Sequence, residues 1–224
     1  MTRVLGIVLA RGGSVRLPGK NIRPLGGIPL ISWTIRVALK ARLDRLILST
    51  DCEEIAEVGR REGAEVPFIR PPALATSEAT SLDAVLHALD AVGGAEIAVL
   101  LQPTSPFRRV HDIDAVLALV EAGAPAAVST CRLPFKWNTM LAVSESGVAL
   151  HPTVSVEPTH RLNGAVYGIQ ADVLRSEKRF VPGGTRIHEM PPALSVDIDT
   201  IDDFNDAEAV VSSGLVTPVR CLAE

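Results

Sequence analysis

The sequence predicts an α/β fold, doubly wound around a mostly parallel sheet, and three observations predict it. Short apolar runs alternate with helix-patterned segments from the N-terminus to residue 133, the rhythm of βαβ units. The runs end in glycine or polar residues, and sheets of this kind bind ligands beyond the carboxyl ends of their strands. The rhythm breaks at 134–190, where Thr, Val, Pro and Gly alternate in hairpin fashion, and then resumes as strand, turn and helix. The expectation is one domain over residues 1–224 with a β-rich insert at 134–190.

The elements follow in order. Residues 4–10, VLGIVLA, read as a buried strand. Residues 30–41 repeat apolar side chains at helical spacing, and 45–50, RLILST, form a second strand. Asp51 with Glu54 three residues on reads as a capping box opening a helix that Gly63 closes. A helix over 81–94, a strand over 97–102, a helix over 112–123 and a strand over 126–133 complete the alternation.

Composition narrows the function classes. Apolar residues make up 47% and charged residues 21%, as in a globular chain. The net charge of −4 argues against electrostatic capture of nucleic acid. No stretch is long enough to span a membrane, and the N-terminal apolar run reads as a strand rather than an export signal. Cys52, Cys131 and Cys221 have no metal-ligand spacing and read as free thiols in a reducing cytoplasm. The five histidines are scattered, and His87 reads as a helix-packing residue, so no nucleophilic triad is expected.

The loop after the first strand, ARGGSVRLPGKN, concentrates the chemistry. Gly12, Gly13 and Ser14 offer backbone N–H groups to an anion, and Arg11, Arg16 and Lys20 add charge around them. The loop lacks the Gly-Lys-Ser/Thr ending of a P-loop and the G-x-G-x-x-G spacing, and an ordinary tight turn is the plain alternative. Near the C-terminus, Asp197 and Asp199 in SVDID alternate along an extended chain and so project to one side. Two hard carboxylates suit Mg²⁺ or Mn²⁺ bridging phosphate oxygens; the alternative is that Asp199 caps the helix beginning near Ile201.

This loop resembles the signature ARGGSKGxPxKN of the cytidylyltransferases that activate sialic acid and related sugars. Residues 49–75, LLQPTSPFR (100–108), RLNGAVY (161–167) and SVDIDTIDDF (195–204) are similar to that family in order and spacing, over nearly the whole chain. The resemblance implies a doubly wound domain with a small dimerisation insert. It implies CTP and a 2-keto-3-deoxy sugar acid as substrates, giving a CMP-sugar and pyrophosphate. Arg11, Ser14 and Lys20 then face the triphosphate, with Ala10, Gly12, Gly13 and Asn21 by the nucleotide and Arg16 joining the cations. Arg70 and Ser81 fall to base and ribose, although Ser81 also reads as a helix cap and Arg70 as a surface loop residue. Gln102, Lys136, Arg161, Asn163, Gly164 and Tyr167 match the acceptor side, with Asp197 and Asp199 on the metal and Asp199 in a catalytic role through it. Family pockets are completed by a neighbouring subunit, which implies a homodimer.

Three departures put the acceptor in question. Val15 stands where the family commonly has lysine, and Arg16 where it has glycine; RLPGK is the form seen in 3-deoxy-manno-octulosonate relatives. The stretch between Lys136 and Arg161 is short, and only Phe180 remains where aromatic residues line the N-acyl pocket. An octulosonate or small phosphonate acceptor, or a non-catalytic nucleotide-binding protein, are the competing expectations.

Overall fold

The computed structural model describes residues 2–133, 142–143, 149–150 and 159–219. The chain opens with β1 (Thr2–Leu9), the short strands β2 (Pro24–Leu25) and β3 (Ile28–Pro29), and α1 (Leu30–Ala38). Next come β4 (Arg45–Ser49), α2 (Glu53–Glu62), α3 (Ser81–Ala91), β5 (Ala95–Leu101), α4 (Val110–Glu121) and β6 (Ala126–Arg132). The two-residue strands β7 (Ala142–Val143) and β8 (Ala149–Leu150) pair with each other. β9 (His160–Gln170), α5 (Ala171–Glu177), β10 (Arg186–Glu189) and α6 (Ile201–Ser212) complete the chain.

Six strands form the main sheet in the order β10-β6-β9-β5-β1-β4. β1 runs parallel to β4 and β5, and β6 parallel to β10, while β9 lies antiparallel between β5 and β6. The alternation along β1 shows why both faces are covered. Val4 and Val8 face one core with Ile31 and Ile35 of α1 and Ile113, Val116 and Leu117 of α4. Leu5 and Ile7 face the other with Val85, Ala88 and Leu89 of α3 and Leu174 of α5. A third cluster lies under the glycine loop, where Leu17, Leu25, Trp33, Phe107, Ile198 and Phe204 pack together. Trp33 and Phe107 meet edge to face with ring centroids 5.5 Å apart.

The doubly wound, mostly parallel sheet is as expected, with four differences. From residue 160 onward the expected insert is part of the sheet: β9 sits near its centre and β10 at its edge. The same Val- and Gly-rich alternation that resembles a free hairpin also fits an antiparallel strand packed on both faces. Asp51 does not cap α2; the helix starts at Glu53, and one Asp51 oxygen accepts the Gly12 N–H at 2.9 Å instead. α1 stops at Ala38, short of the expected end at 41. SVDID is extended but belongs to no strand, and its backbone tie to the rest of the fold is the Ile198 N–H donated to the Thr104 carbonyl at 2.8 Å, beside side-chain bonds to Ser195 and Ile198. Among the described residues no helix is long and apolar enough to cross a membrane.

Candidate active site

A cavity of about 410 Å³ opens at the carboxyl ends of β1 and β5. The loop from Arg11 to Lys20 forms one wall, anchored from below by buried Leu17 and closed by Gly19, whose φ of 66° suits glycine. Asn21 is buried and donates its side-chain N–H to the Arg11 carbonyl at 3.0 Å, which ties the two ends of the loop. Gly12 passes so close to α2 that an added Cβ would lie 3.0 Å from the Cys52 Cβ. The loop is therefore braced by Asp51, Cys52 and Asn21.

The cations converge from several directions. Lys20 is nearly buried and donates to the Ile198 carbonyl at 2.7 Å and to Asp199 Oδ1 at 3.0 Å. Arg16, exposed at the rim, reaches Asp199 Oδ2 at 2.7 Å. Arg11 crosses to the opposite wall and donates to the Thr76 carbonyl at 3.0 Å. Arg70 is buried and held by the Ser49 hydroxyl at 3.0 Å and the Ser49 carbonyl. Burial pushes the Arg70 guanidinium below its ordinary pKa, with Asp51 acting the other way.

The acidic side faces them. Asp199 is neutralised by two cations. Asp197 keeps an open face to the cavity, and its pKa is raised by the burial of its surroundings, against a hydrogen bond from Thr104, with the Asp199 charge adding to the rise. Thr200, not Asp199, caps α6: its hydroxyl accepts the Asp203 N–H while Asp203 accepts the Thr200 N–H at 2.7 Å. This leaves Asp199 with no capping duty. Among the described residues no group of three or more His, Cys, Asp or Glu gathers as a metal cluster. Two carboxylates beside a cationic anion cradle do fit Mg²⁺ or Mn²⁺ that takes its remaining ligands from phosphate and water.

The expected residues divide into three groups. Arg11, Ser14, Arg16, Lys20, Asn21, Arg70, Ser81, Gln102, Asp197 and Asp199 line the cavity together with exposed Val15. Ser81 is the first residue of α3, whose cap is Thr80 in a capping box with Asp83. Ala10, Gly12, Gly13, Arg161, Asn163, Gly164 and Tyr167 do not line it. Asn163 is fully buried, receiving the Ser129 hydroxyl at 2.7 Å and donating to Ser195 Oγ at 3.0 Å. A direct sugar contact from that side chain does not fit this arrangement, because its amide is consumed in the core. Gly164, at φ 76°, has no room for a side chain: a Cβ would sit 2.8 Å from Gln102 Oε1 and Ser105 Oγ. Arg161 donates to the Ser195 carbonyl at 2.9 Å, and Tyr167 packs on Phe180 with centroids 5.7 Å apart. Lys136 lies outside the described residues.

Two features escaped the sequence reading. The wall opposite the loop comes from Leu74, Thr76, Ser77, Ala79 and Thr80, a stretch without periodicity and with Glu78 as its one charge. Arg108, at 2% exposure, is buried beneath Gln102, and burial pushes its pKa down to about 9, with Asp112 and Asp197 opposing. Its FR dipeptide carries no signal of burial.

A cytidylyltransferase family model matches residues 5–163. The chain is 32% identical over 221 residues to CMP-N,N'-diacetyllegionaminic acid synthase of Legionella pneumophila, covering 90% of this chain and 93% of that protein. It is 30% identical over 211 residues to N-acylneuraminate cytidylyltransferase B of Danio rerio, covering 90% of this chain and 50% of that one. The chain thus spans about half the length of that relative, and 51% of N-acylneuraminate cytidylyltransferase of Streptococcus agalactiae, at 30% identity. The fold is similar to CMP:2-keto-3-deoxy-manno-octonic acid synthetase complexed with CTP, at a TM-score of 0.70 and 18% identity over 95% of this chain and 100% of that one. A 4-diphosphocytidyl-2C-methyl-D-erythritol synthase from Anaerococcus prevotii gives 0.69 at 10% identity, covering 94% and 96%. The chain belongs to the cytidylyltransferase family, among the CMP-sialic acid synthetases, and is a nucleotidyltransferase enzyme.

Proposed function

We propose that this enzyme transfers CMP from CTP to the anomeric hydroxyl of a nonulosonic, sialic-acid-like sugar acid. The observation that carries the reading is one cavity that sets Arg11, Arg16 and Lys20 of a glycine loop against Asp197 and Asp199. The anomeric oxygen forms a bond to the α-phosphorus, the α–β bridging bond breaks, pyrophosphate leaves with the electron pair, and the hydroxyl proton passes to solvent. Such a displacement depends on positioning and charge neutralisation rather than covalent help.

The chain's own residues supply both. Lys20 and Arg16 offer cationic N–H donors to phosphate oxygens, and the loop's backbone amides add dipoles. Arg70 and Ser81 form the nucleoside end, and Gln102 the acceptor end. Asp197 and Asp199 would hold Mg²⁺ or Mn²⁺, which when bound neutralises phosphate charge. The acceptor carboxylate falls to Arg161 and Lys136, and the enzyme works as a homodimer in a reducing cytoplasm.

An octulosonate acceptor is the second reading, favoured by Arg16 in RLPGK. The experiment is pyrophosphate release with CTP, UTP, ATP or GTP crossed with N-acetylneuraminic, legionaminic, pseudaminic and octulosonic acids. CTP with a nonulosonic acid is the expected productive pair. Turnover confined to octulosonic acid moves the assignment to the second reading, and none with any pair removes both.

A further inference from the structure

Arg108 is the largest fully buried side chain among the described residues. Its Nε donates to the Ala165 carbonyl at 2.8 Å, one terminal nitrogen to Thr34 Oγ1 at 2.6 Å, and the other to the Gln102 carbonyl. Among the described residues no carboxylate is bonded to it, and the Asp112 oxygens are taken by Arg109 at 3.0 Å and His188 at 2.9 Å. A buried guanidinium without a bonded counter-charge costs stability, and an apolar side chain would fill the space more cheaply. Its donors therefore need another explanation.

They reach three elements at once: the end of β5, β9 next to Gly164, and the middle of α1. The Gln102 carbonyl also accepts the Ser105 N–H at 3.3 Å, and the Ser105 hydroxyl donates to the Asn163 carbonyl at 2.9 Å. Inside this turn the Thr104 carbonyl accepts the Ile198 N–H at 2.8 Å, between Asp197 and Asp199. Gln102, Pro103 and Thr104 line the cavity. One guanidinium thus stitches the turn that carries Gln102 and anchors the aspartate segment.

We infer that Arg108 is a positioning residue for the transfer step: it fixes the Gln102–Ser105 turn and, through it, the acceptor end of the cavity. The inference rests on the proposed cytidylyl transfer and on Gln102 facing the acceptor. Lysine cannot substitute, because one nitrogen cannot reach three acceptors on three elements.

The test compares full-length Arg108→Lys, Gln102→Ala and the double variant. CTP Kd is measured by calorimetry, and acceptor KM with N-acetylneuraminate and N,N'-diacetyllegionaminate. Hydrogen exchange at the Ser105 amide gives a readout independent of catalysis. Arg108→Lys is expected to raise acceptor KM about tenfold or more while CTP Kd stays within about twofold. Ser105 exchange is expected to quicken about tenfold, and the double variant to be little worse than Gln102→Ala alone. Equal losses in CTP affinity and acceptor KM, unchanged Ser105 exchange, or full additivity overturns the inference. If Arg108→Lys does not fold, Thr34→Val removes one of the three acceptors. It should raise acceptor KM about threefold with faster Ser105 exchange, and no change in either overturns the inference. If the unaltered enzyme releases no pyrophosphate with either acid, the nonulosonic reading falls, while Ser105 exchange still decides whether Arg108 holds the turn.

Discussion

Val15 is 77% exposed on the cavity rim, and Arg16 beside it bonds to Asp199. If Arg16 carries the charge that relatives place one residue earlier, Arg16→Ala should raise the CTP KM about tenfold, and Val15→Lys added to it should recover most of the loss. Steady-state kinetics decide it; unchanged CTP constants for Arg16→Ala would mean that Val15 marks a real loss of phosphate contact. Asp197 carries a prediction of opposite sign for stability. Its folded pKa lies above the ordinary carboxylate value, because of burial and the nearby Asp199 charge. Its favourable contribution to folding is thus complete in acid and lost as pH rises through the raised value. Asp197→Asn should melt higher than the unaltered protein at pH 8 and not at pH 3, by a margin that solvent exposure of the carboxylate keeps small, while transfer collapses. Equal melting shifts at both pH values would refute the stored cost. At this scale charge and spacing picked out the loop cations and both aspartates, which line one cavity. The motif that matched Asn163 to a sugar-contacting position shows where a residue sits, not that its amide bonds Ser129, Thr130, Ala165, Met190 and Ser195 in the core.

At the scale of elements, capping and close approach carry the information. Thr80 and Thr200 each close a capping box that opens a helix at the cavity. Thr200→Ala should cost about 1 kcal/mol in chemical denaturation, with Asp203 losing the hydroxyl partner that holds it 2.8 Å away. Gly164→Ala should do more, costing about 2 kcal/mol, since it forces both a left-handed backbone and a clash with Gln102. A melt within about 0.5 kcal/mol of the unaltered protein would contradict that crowding. The parallel strands and their helices were readable because apolar runs and caps are local signals. β9 was not, since a central antiparallel strand takes its identity from neighbours distant in sequence. Asp51 shows the same limit: capping chemistry was present, but the Gly12 amide competed for it and won.

Across the whole molecule, buried carboxylates set the acid limit. Burial pushes Glu62 up, but hydrogen bonds from Arg36 at 2.6 and 3.0 Å outweigh it and leave its pKa lowered. Asp112 is likewise pushed up by burial and brought below its ordinary value by Arg109 and His188. Both contribute stability above the ordinary carboxylate range that is lost as pH falls through their lowered values. Melting temperature should therefore fall as pH drops below the ordinary carboxylate range, and Asp112→Asn should flatten that slope while lowering the neutral melt. A slope unaffected by the substitution would place the acid sensitivity elsewhere.

β9 has one further consequence. Because it runs against its neighbours, it begins at the edge where β5 and β6 end, and the Leu133 N–H meets the Thr159 carbonyl there at 2.9 Å. The chain that leaves β6 and returns into β9 therefore departs and arrives at one point of the sheet's edge. The register of β6 on β9 is set by pairs within the main sheet, from Ala126 with Ile169 to Arg132 with His160. The exit from β6 and the return into β9 are thus one clasped doorway in the sheet, and its two posts are locked to each other whatever the intervening sequence.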